Sequence, residues 1–219
     1  MNTSKFKYKL FGRFKGRKKN NDFDDQNLDK YKVDISKDLD RKNYNILDIG
    51  SGSGENALYL SNALPNSKII TCELFYDGNL NLSKKIFENK INNILLFEGN
   101  VLQFLDELNC KDIFDEMWIL FPDPWPKIRH QKRRLINRIF IEKIHFFLKD
   151  SGKLMIATDS TSYINAIIKI IYESRDLYLW KNQIFQQWDY KNLNLPETKF
   201  YKKAFKSNRK SMFFCLNKI

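Results

Sequence analysis

Residues 45–64 read Asn-Ile-Leu-Asp-Ile-Gly-Ser-Gly-Ser-Gly-Glu-Asn-Ala-Leu-Tyr-Leu-Ser-Asn-Ala-Leu, running from Asn45 to Leu64. The apolar run Ile46 to Ile49 predicts a strand that stops at Gly50. Glu55 to Leu64 predicts a helix, ended by Pro65 and Asn66. Three glycines between them, Gly50, Gly52 and Gly54, let the backbone turn tightly and let a ligand approach it closely. A dinucleotide loop needs a small residue where Glu55 stands, and that carboxylate would face a pyrophosphate at the helix N-terminus. No Gly-Lys-Ser/Thr follows, so the loop is not a nucleotide P-loop either. An acid, Asp48, two residues before the first glycine suits a ligand without phosphate that carries a cation. S-adenosylmethionine, with its sulfonium, ammonium and carboxylate, is such a ligand.

Downstream, short β-branched runs alternate with helix-period segments. Strands are expected at Lys68–Glu73, Ile94–Glu98, Glu116–Phe121 and Lys153–Thr158. Helices are expected at Gly78–Lys90, near Gln103–Asn109, at Arg133–Leu148 and at Tyr163–Tyr172. This alternation predicts an α/β fold with a mostly parallel sheet and helices on both faces. After Asp176 the pattern turns strand-rich, with Leu177–Trp180, Ile184–Trp188 and a final run Ser211–Leu216 that make the sheet mixed. Residues 1–42 lack sustained periodicity and are read as a basic, partly flexible arm with a short helix around Gln26–Lys37. Residues 43–219 are read as the α/β domain.

Of 219 residues, 42% are hydrophobic and 15% aromatic, which suffices for one globular core. No apolar run reaches the length of a membrane span, and the basic N-terminal stretch, without an apolar core or small-residue cleavage site, is not expected to act as a secretory signal. Three scattered cysteines and two histidines leave neither a disulfide framework nor a metal site, so a reducing cytoplasm is expected. The net charge of +12 is uneven: residues 1–19, 127–134 and 198–219 hold eight, five and seven Lys/Arg and no acid. Such segments on an otherwise acidic body match a nucleic-acid footprint; solvated charge with a compositional bias towards Lys, Asn and Ile is the alternative.

Glu73 ends the second strand, where a carboxylate can take both ribose hydroxyls of a nucleoside. Asn100, after the third strand, either meets an adenine amino group through its side-chain oxygen or serves the turn beside Gly99. After the fourth strand comes Phe121-Pro122-Asp123-Pro124-Trp125-Pro126-Lys127. Its prolines stiffen the turn and hold Asp123 where a carboxylate can accept from the N1–H and N2 edge of guanine. Trp125 offers a flat ring to a base face. The basic run Ile128 to Arg134 follows; its cations at an expected helix N-terminus oppose the macrodipole, which argues for a functional reason.

The string FPDPWPKIRHQKRR, downstream of LDIGSGSGENALYLS, resembles bacterial tRNA (guanine-N7)-methyltransferases. FGRFKGRKKN in the arm, Ala157-Thr158-Asp159 and Thr198-Lys199-Phe200 extend the resemblance from about Lys9 to the C-terminus. It implies a Rossmann-like class I methyltransferase fold with a seven-stranded, mostly parallel sheet and an antiparallel final strand. It implies S-adenosylmethionine as cofactor, tRNA as partner, and methyl transfer to N7 of a guanosine in the variable loop. By the family pattern Asp48, Glu73, Asn100 and Asp123, with the loop glycines, line the methyl-donor pocket, and Asp123 is also the catalytic residue. Lys127, Asp159, Thr198, Lys199, Phe200 and Tyr201 would contact the guanosine. Arg129, His130, Gln131, Lys132, Arg133 and Arg134 would contact RNA. The chain departs from the pattern at Asp48, often Glu; at Asn100, usually Asp; and at Tyr201, usually Glu. Because N7 carries a lone pair and no proton, the chemistry calls for alignment and charge stabilisation rather than a general base. Methylation of another RNA base, and non-catalytic RNA binding on a Rossmann-like body, are the competing readings.

Overall fold

The computed structural model describes residues 28–181 and 188–219. The basic arm up to Asp25, the start of the expected helix at Gln26 and most of the expected strand Ile184–Trp188 lie outside them. The chain divides into two compact units, one ending at Cys110 and one running from Lys111 to Ile219.

In the first unit a short helix α1 (Ile35–Asp38) precedes β1 (Asn45–Ile49), α2 (Glu55–Ala63), β2 (Lys68–Glu73), α3 (Tyr76–Glu88), β3 (Ile94–Glu98) and α4 (Val101–Glu107). The strands pair in parallel in the order β3-β2-β1, with Leu47 opposite Ile70 and Ile70 opposite Leu95. All five residues of β1 are buried, as a parallel strand covered on both faces requires. Ala57, Leu60, Leu82, Ile86, Phe104 and Leu105 from the helices complete this core. Residues 28–33, expected in the arm, belong instead to this unit. Leu28 is buried, the Val33 N–H donates to Leu96 O, and the Leu96 N–H donates to Tyr31 O, so this segment covers the outer edge of β3.

Two helix starts differ from expectation for identifiable reasons. Helix α3 begins two residues before Gly78, because that glycine lies inside the helix where it meets the loop: a Cβ there would fall 2.4 Å from Gly52 O. Helix α4 begins at Val101 because Asn100 and Gln103 form a reciprocal capping box.

The second unit contains β4 (Phe114–Leu120), a 3₁₀ turn at Ile128–Arg133, α5 (Arg138–Phe147), β5 (Leu148–Thr158), α6 (Thr161–Glu173), β6 (Tyr178–Trp180), a 3₁₀ turn at Tyr190–Asn192, α7 (Lys199–Lys206) and β7 (Met212–Lys218). Strands β4 and β5 are parallel, and β7 lies between β5 and β6, antiparallel to both. The expected single helix over Arg133–Leu148 is therefore a 3₁₀ turn, an extended link and a shorter helix. Asn137 starts α5 by accepting the Phe140 N–H at 3.1 Å, and Arg134 takes an extended conformation.

Gly54 caps α2 at φ 78°, and a Cβ there would lie 2.3 Å from Leu82 Cδ1. Gly50, at φ 71°, has open space where its Cβ would be. Gly54→Ala is expected to lose about 2 to 4 kcal/mol in urea denaturation, through overpacking added to backbone strain. Gly50→Ala should lose only the strain part, about 1 to 2 kcal/mol. Equal losses in the two variants would contradict this packing.

Candidate functional site

In the first unit the loop after β1 is set by three glycines in the left-handed region, at φ 71°, 58° and 78°. At Gly50 and Gly52 nothing lies within 4 Å of a built Cβ, so this backbone borders open space that a ligand can fill. Lys85 Nζ braces the loop through Ser53 O at 2.9 Å. Glu73 is held by two backbone donors: Gly52 N–H to Oε2 and Phe75 N–H to Oε1, each at 2.8 Å. Each oxygen keeps a further lone pair, so a fixed carboxylate faces the loop with acceptor capacity for hydroxyls.

Asp48 is buried, with 2% of its surface exposed. Asn56 Nδ2 donates to its Oδ1 at 3.0 Å, while Oδ2 has no hydrogen-bond partner among the described residues. Burial pushes its pKa up to about 7; the Asn56 hydrogen bond opposes this, and the nearby Glu73 and Glu55 charges add to it. The buried Ser51 hydroxyl is likewise unmatched. An unpaired buried carboxylate oxygen costs free energy unless something meets it. An ammonium on a small ligand is suitable. Together with the open glycine backbone and the oriented Glu73, these residues fit S-adenosylmethionine.

Asn100 behaves as a helix cap. Its Oδ1 accepts the Leu102 N–H at 2.7 Å and, like the Glu73 oxygens, keeps a second lone pair, so the cap leaves acceptor capacity for an adenine amino group.

In the second unit Phe121 and Trp125 bracket the Pro122-Asp123-Pro124 turn, both at positive φ (53° and 41°). The Phe121 N–H is tied to Ala157 O at 2.7 Å. The Phe121 ring packs 5.5 Å from Tyr190, whose hydroxyl donates to Pro196 O at 2.6 Å. Asp123 is exposed, and no hydrogen bond or ion pair holds its carboxylate among the described residues. Strain of this kind persists where surrounding contacts enforce it, and it is concentrated at functional turns.

The basic run divides in two. Lys127, Arg129 and Lys132 are exposed. His130 packs edge-on to Trp125, and the Arg133 guanidinium lies 5.0 Å from the Trp125 ring centroid. Desolvation and the Arg133 and Lys127 charges lower the His130 pKa. Arg134 differs from its neighbours in the basic run. It is 7% exposed, with Nε on Pro124 O at 2.8 Å, both terminal nitrogens on Ser162, and its plane over the Tyr163 ring. A guanidinium this fully engaged is a strut between the Asp123 turn and α6.

Asp159 is paired with Arg209 at 2.6 Å, a partner that the sequence reading did not single out. Thr198 caps α7, its Oγ1 accepting the Tyr201 N–H at 3.2 Å. Tyr201, where Glu is usual, stacks on Tyr190 with centroids 4.6 Å apart. Lys199 and Phe200 are exposed. Cys72 is buried and Cys110 and Cys215 are partly buried, all free. Among the described residues no cluster of three His, Cys, Asp or Glu forms, and no helix is long and apolar enough to cross a membrane.

The fold is that of class I methyltransferases. A solved rRNA methylase from Streptococcus thermophilus matches with a TM-score of 0.54 at 16% identity, covering 84% of this chain and 92% of that one. An aminoglycoside resistance methyltransferase matches with 0.54 at 15% identity, over 83% and 94%. Residues 42–214 match the family described as "Putative methyltransferase". The tRNA (guanine-N(7)-)-methyltransferase of Wolbachia pipientis wMel is 32% identical over 200 residues, 89% of this chain and 86% of that protein. This chain belongs to the tRNA (guanine-N7)-methyltransferase family. It is also 32% identical to a bifunctional methyltransferase of Rickettsia conorii, over 89% of this chain but only 36% of that longer protein.

The raised Asp48 pKa has a definite consequence for the free protein. The unfolded chain ionises this carboxyl near pH 4, whereas the folded chain keeps its proton until about pH 7. Folding stability therefore falls as pH rises through that window, and the full cost is present above it. Asp48→Asn should be more stable than the wild type at pH 8, by on the order of 2 to 4 kcal/mol, with the difference vanishing below about pH 4. Urea denaturation at both pH values measures this. A variant no more stable than wild type at pH 8 would contradict it.

Proposed function

We propose that this protein transfers a methyl group from S-adenosylmethionine to N7 of a guanosine in tRNA, in the variable loop, forming 7-methylguanosine. The observation that carries the reading is the phosphate-free glycine loop with its buried, half-satisfied Asp48. The activity named for the Wolbachia relative supplies the acceptor.

When bound, S-adenosylmethionine supplies an electrophilic methyl group on a sulfonium. Asp48 Oδ2 receives the ammonium of its amino-acid part, directly or through water. Gly50, Gly52 and Gly54 admit its close approach to the backbone, and Glu73 accepts from the ribose hydroxyls with its remaining lone pairs. Asn100 accepts from the adenine amino group with the second lone pair of its side-chain oxygen, which also caps α4.

Asp123 orients the acceptor by taking guanine's N1–H and N2 amino donors, and it offsets the positive charge that develops on the purine as N7 is alkylated. No residue needs to remove a proton. Lys127, the Asp159–Arg209 pair, Thr198, Lys199, Phe200 and Tyr201 contact the guanosine, with the Thr198 hydroxyl proton available as a donor. Arg129, His130, Gln131, Lys132 and Arg133 hold the RNA; the arm at residues 1–19 adds cations.

Unmodified tRNA incubated with the protein and S-adenosylmethionine should yield 7-methylguanosine by nucleoside mass spectrometry. Asp123→Asn should lower turnover about 100-fold, the scale of losing a transition-state electrostatic contact, with an unchanged unfolding transition. A different methylated nucleoside would overturn the assigned reaction. Wild-type turnover in the variant would remove Asp123 from the mechanism.

A further inference from the structure

Helix α7 has the sequence Lys199-Phe200-Tyr201-Lys202-Lys203-Ala204-Phe205-Lys206. Of these eight residues only Ala204 is buried, and Tyr201 is half-buried. At 3.6 residues per turn, Lys199, Lys202, Lys203 and Lys206 fall within an arc of about 100°, on the side away from Ala204, and span about 10 Å along the axis. Phe200 and Phe205 lie about 60° beyond either edge of that arc, 52% and 60% exposed.

This arrangement is unfavourable for the free protein. The lysines recur at i, i+3, i+4 and i+7, where like charges repel; Lys199 and Lys202 sit in the first turn, against the macrodipole, while Lys203 and Lys206, in the last turn, suit it. On other helices Lys84, Arg138 and Lys169 each have an acid four residues on, at Glu88, Glu142 and Glu173. On α7 only Lys202 meets a carboxylate among the described residues, that of the exposed Glu197 at 3.6 Å. Lys191 adds a further cation, 5.7 Å from the Phe205 ring centroid. Stability does not account for four lysines on one face flanked by two exposed rings. A polyanion with unpaired bases does, since phosphates neutralise the lysines and bases stack on the rings.

We propose that the lysine face of α7 is an additional RNA-binding surface that grips the phosphate backbone of the tRNA substrate, with Phe205 stacking on an unpaired base. This rests on the RNA-methylation reading above and adds Lys202, Lys203, Phe205 and Lys206 to the residues that contact RNA.

The test is a Lys202→Gln/Lys203→Gln/Lys206→Gln variant, titrated with tRNA by fluorescence anisotropy over a range of salt concentrations. The expected result is a slope of log K against log salt shallower by about 2, with affinity at low salt reduced about 10-fold or more. Affinity for S-adenosylhomocysteine should stay at the wild-type value. The corresponding Lys→Arg triple variant should keep the slope, and Lys84→Gln/Lys169→Gln should not change it. An unchanged slope in the Gln variant, alongside a wild-type protein that methylates tRNA, overturns this proposal and leaves the enzymatic reading standing. A wild-type protein that neither binds nor methylates tRNA overturns both. Loss of binding to an acidic polypeptide such as polyglutamate, with tRNA binding intact, would assign the face to a protein partner and also overturn the proposal.

Discussion

A buried carboxylate without a counter-ion is the constraint on which the first unit is organised. Asp48 occupies the fourth position of β1, a strand buried along its whole length, so its side chain cannot escape to water. Asn56, on the helix that begins at Glu55, satisfies one oxygen, and the glycine loop between strand and helix is what brings these residues together. Gly78 lets α3 close on the loop, and Glu73 ties the Gly52 amide to the end of β2. These contacts build a rigid, acid-flanked backbone around one unmatched oxygen. The free protein keeps this arrangement at a cost in stability, as binding sites commonly do.

The second unit treats its key carboxylate in the opposite way. Asp123 is exposed and has no partner among the described residues, and its position is set through its neighbours: Phe121 bound to the end of β5, Pro124 bound to Arg134, and Trp125 lying under Arg133. An exposed carboxylate with no partner among the described residues has lone pairs open to a ligand's donors. That suits a group whose task is to hold donors and balance positive charge, not to move a proton.

Much of this was legible in the residues. Alternating strand and helix periods identified the class of fold, and the loop's chemistry was visible because Glu55 is incompatible with a phosphate. Burial was harder to read. Nothing in Lys132-Arg133-Arg134 distinguishes the last residue from the others; its role depends on Ser162 and Tyr163, 28 and 29 positions away, which periodicity does not connect. Asn137 and Asn100 were readable as caps in principle, yet side-chain chemistry alone allowed Asn100 either a cap or an adenine contact. The Asp159–Arg209 pair joins the end of β5 to the residues before β7, a long-range contact with no local signature.

The central claim is that the unmatched Asp48 oxygen is what the methyl donor's ammonium meets. Calorimetric titration with S-adenosylhomocysteine at pH 6.5, in two buffers of different ionisation enthalpy, tests it directly. A carboxyl held near pKa 7 in the free protein must give up its proton when a cation binds beside it. The account predicts release of a substantial fraction of one proton at pH 6.5, fading by pH 8.5 and absent in Asp48→Asn, which also binds more weakly. A binding enthalpy independent of buffer at pH 6.5, with wild-type affinity in Asp48→Asn, would contradict it.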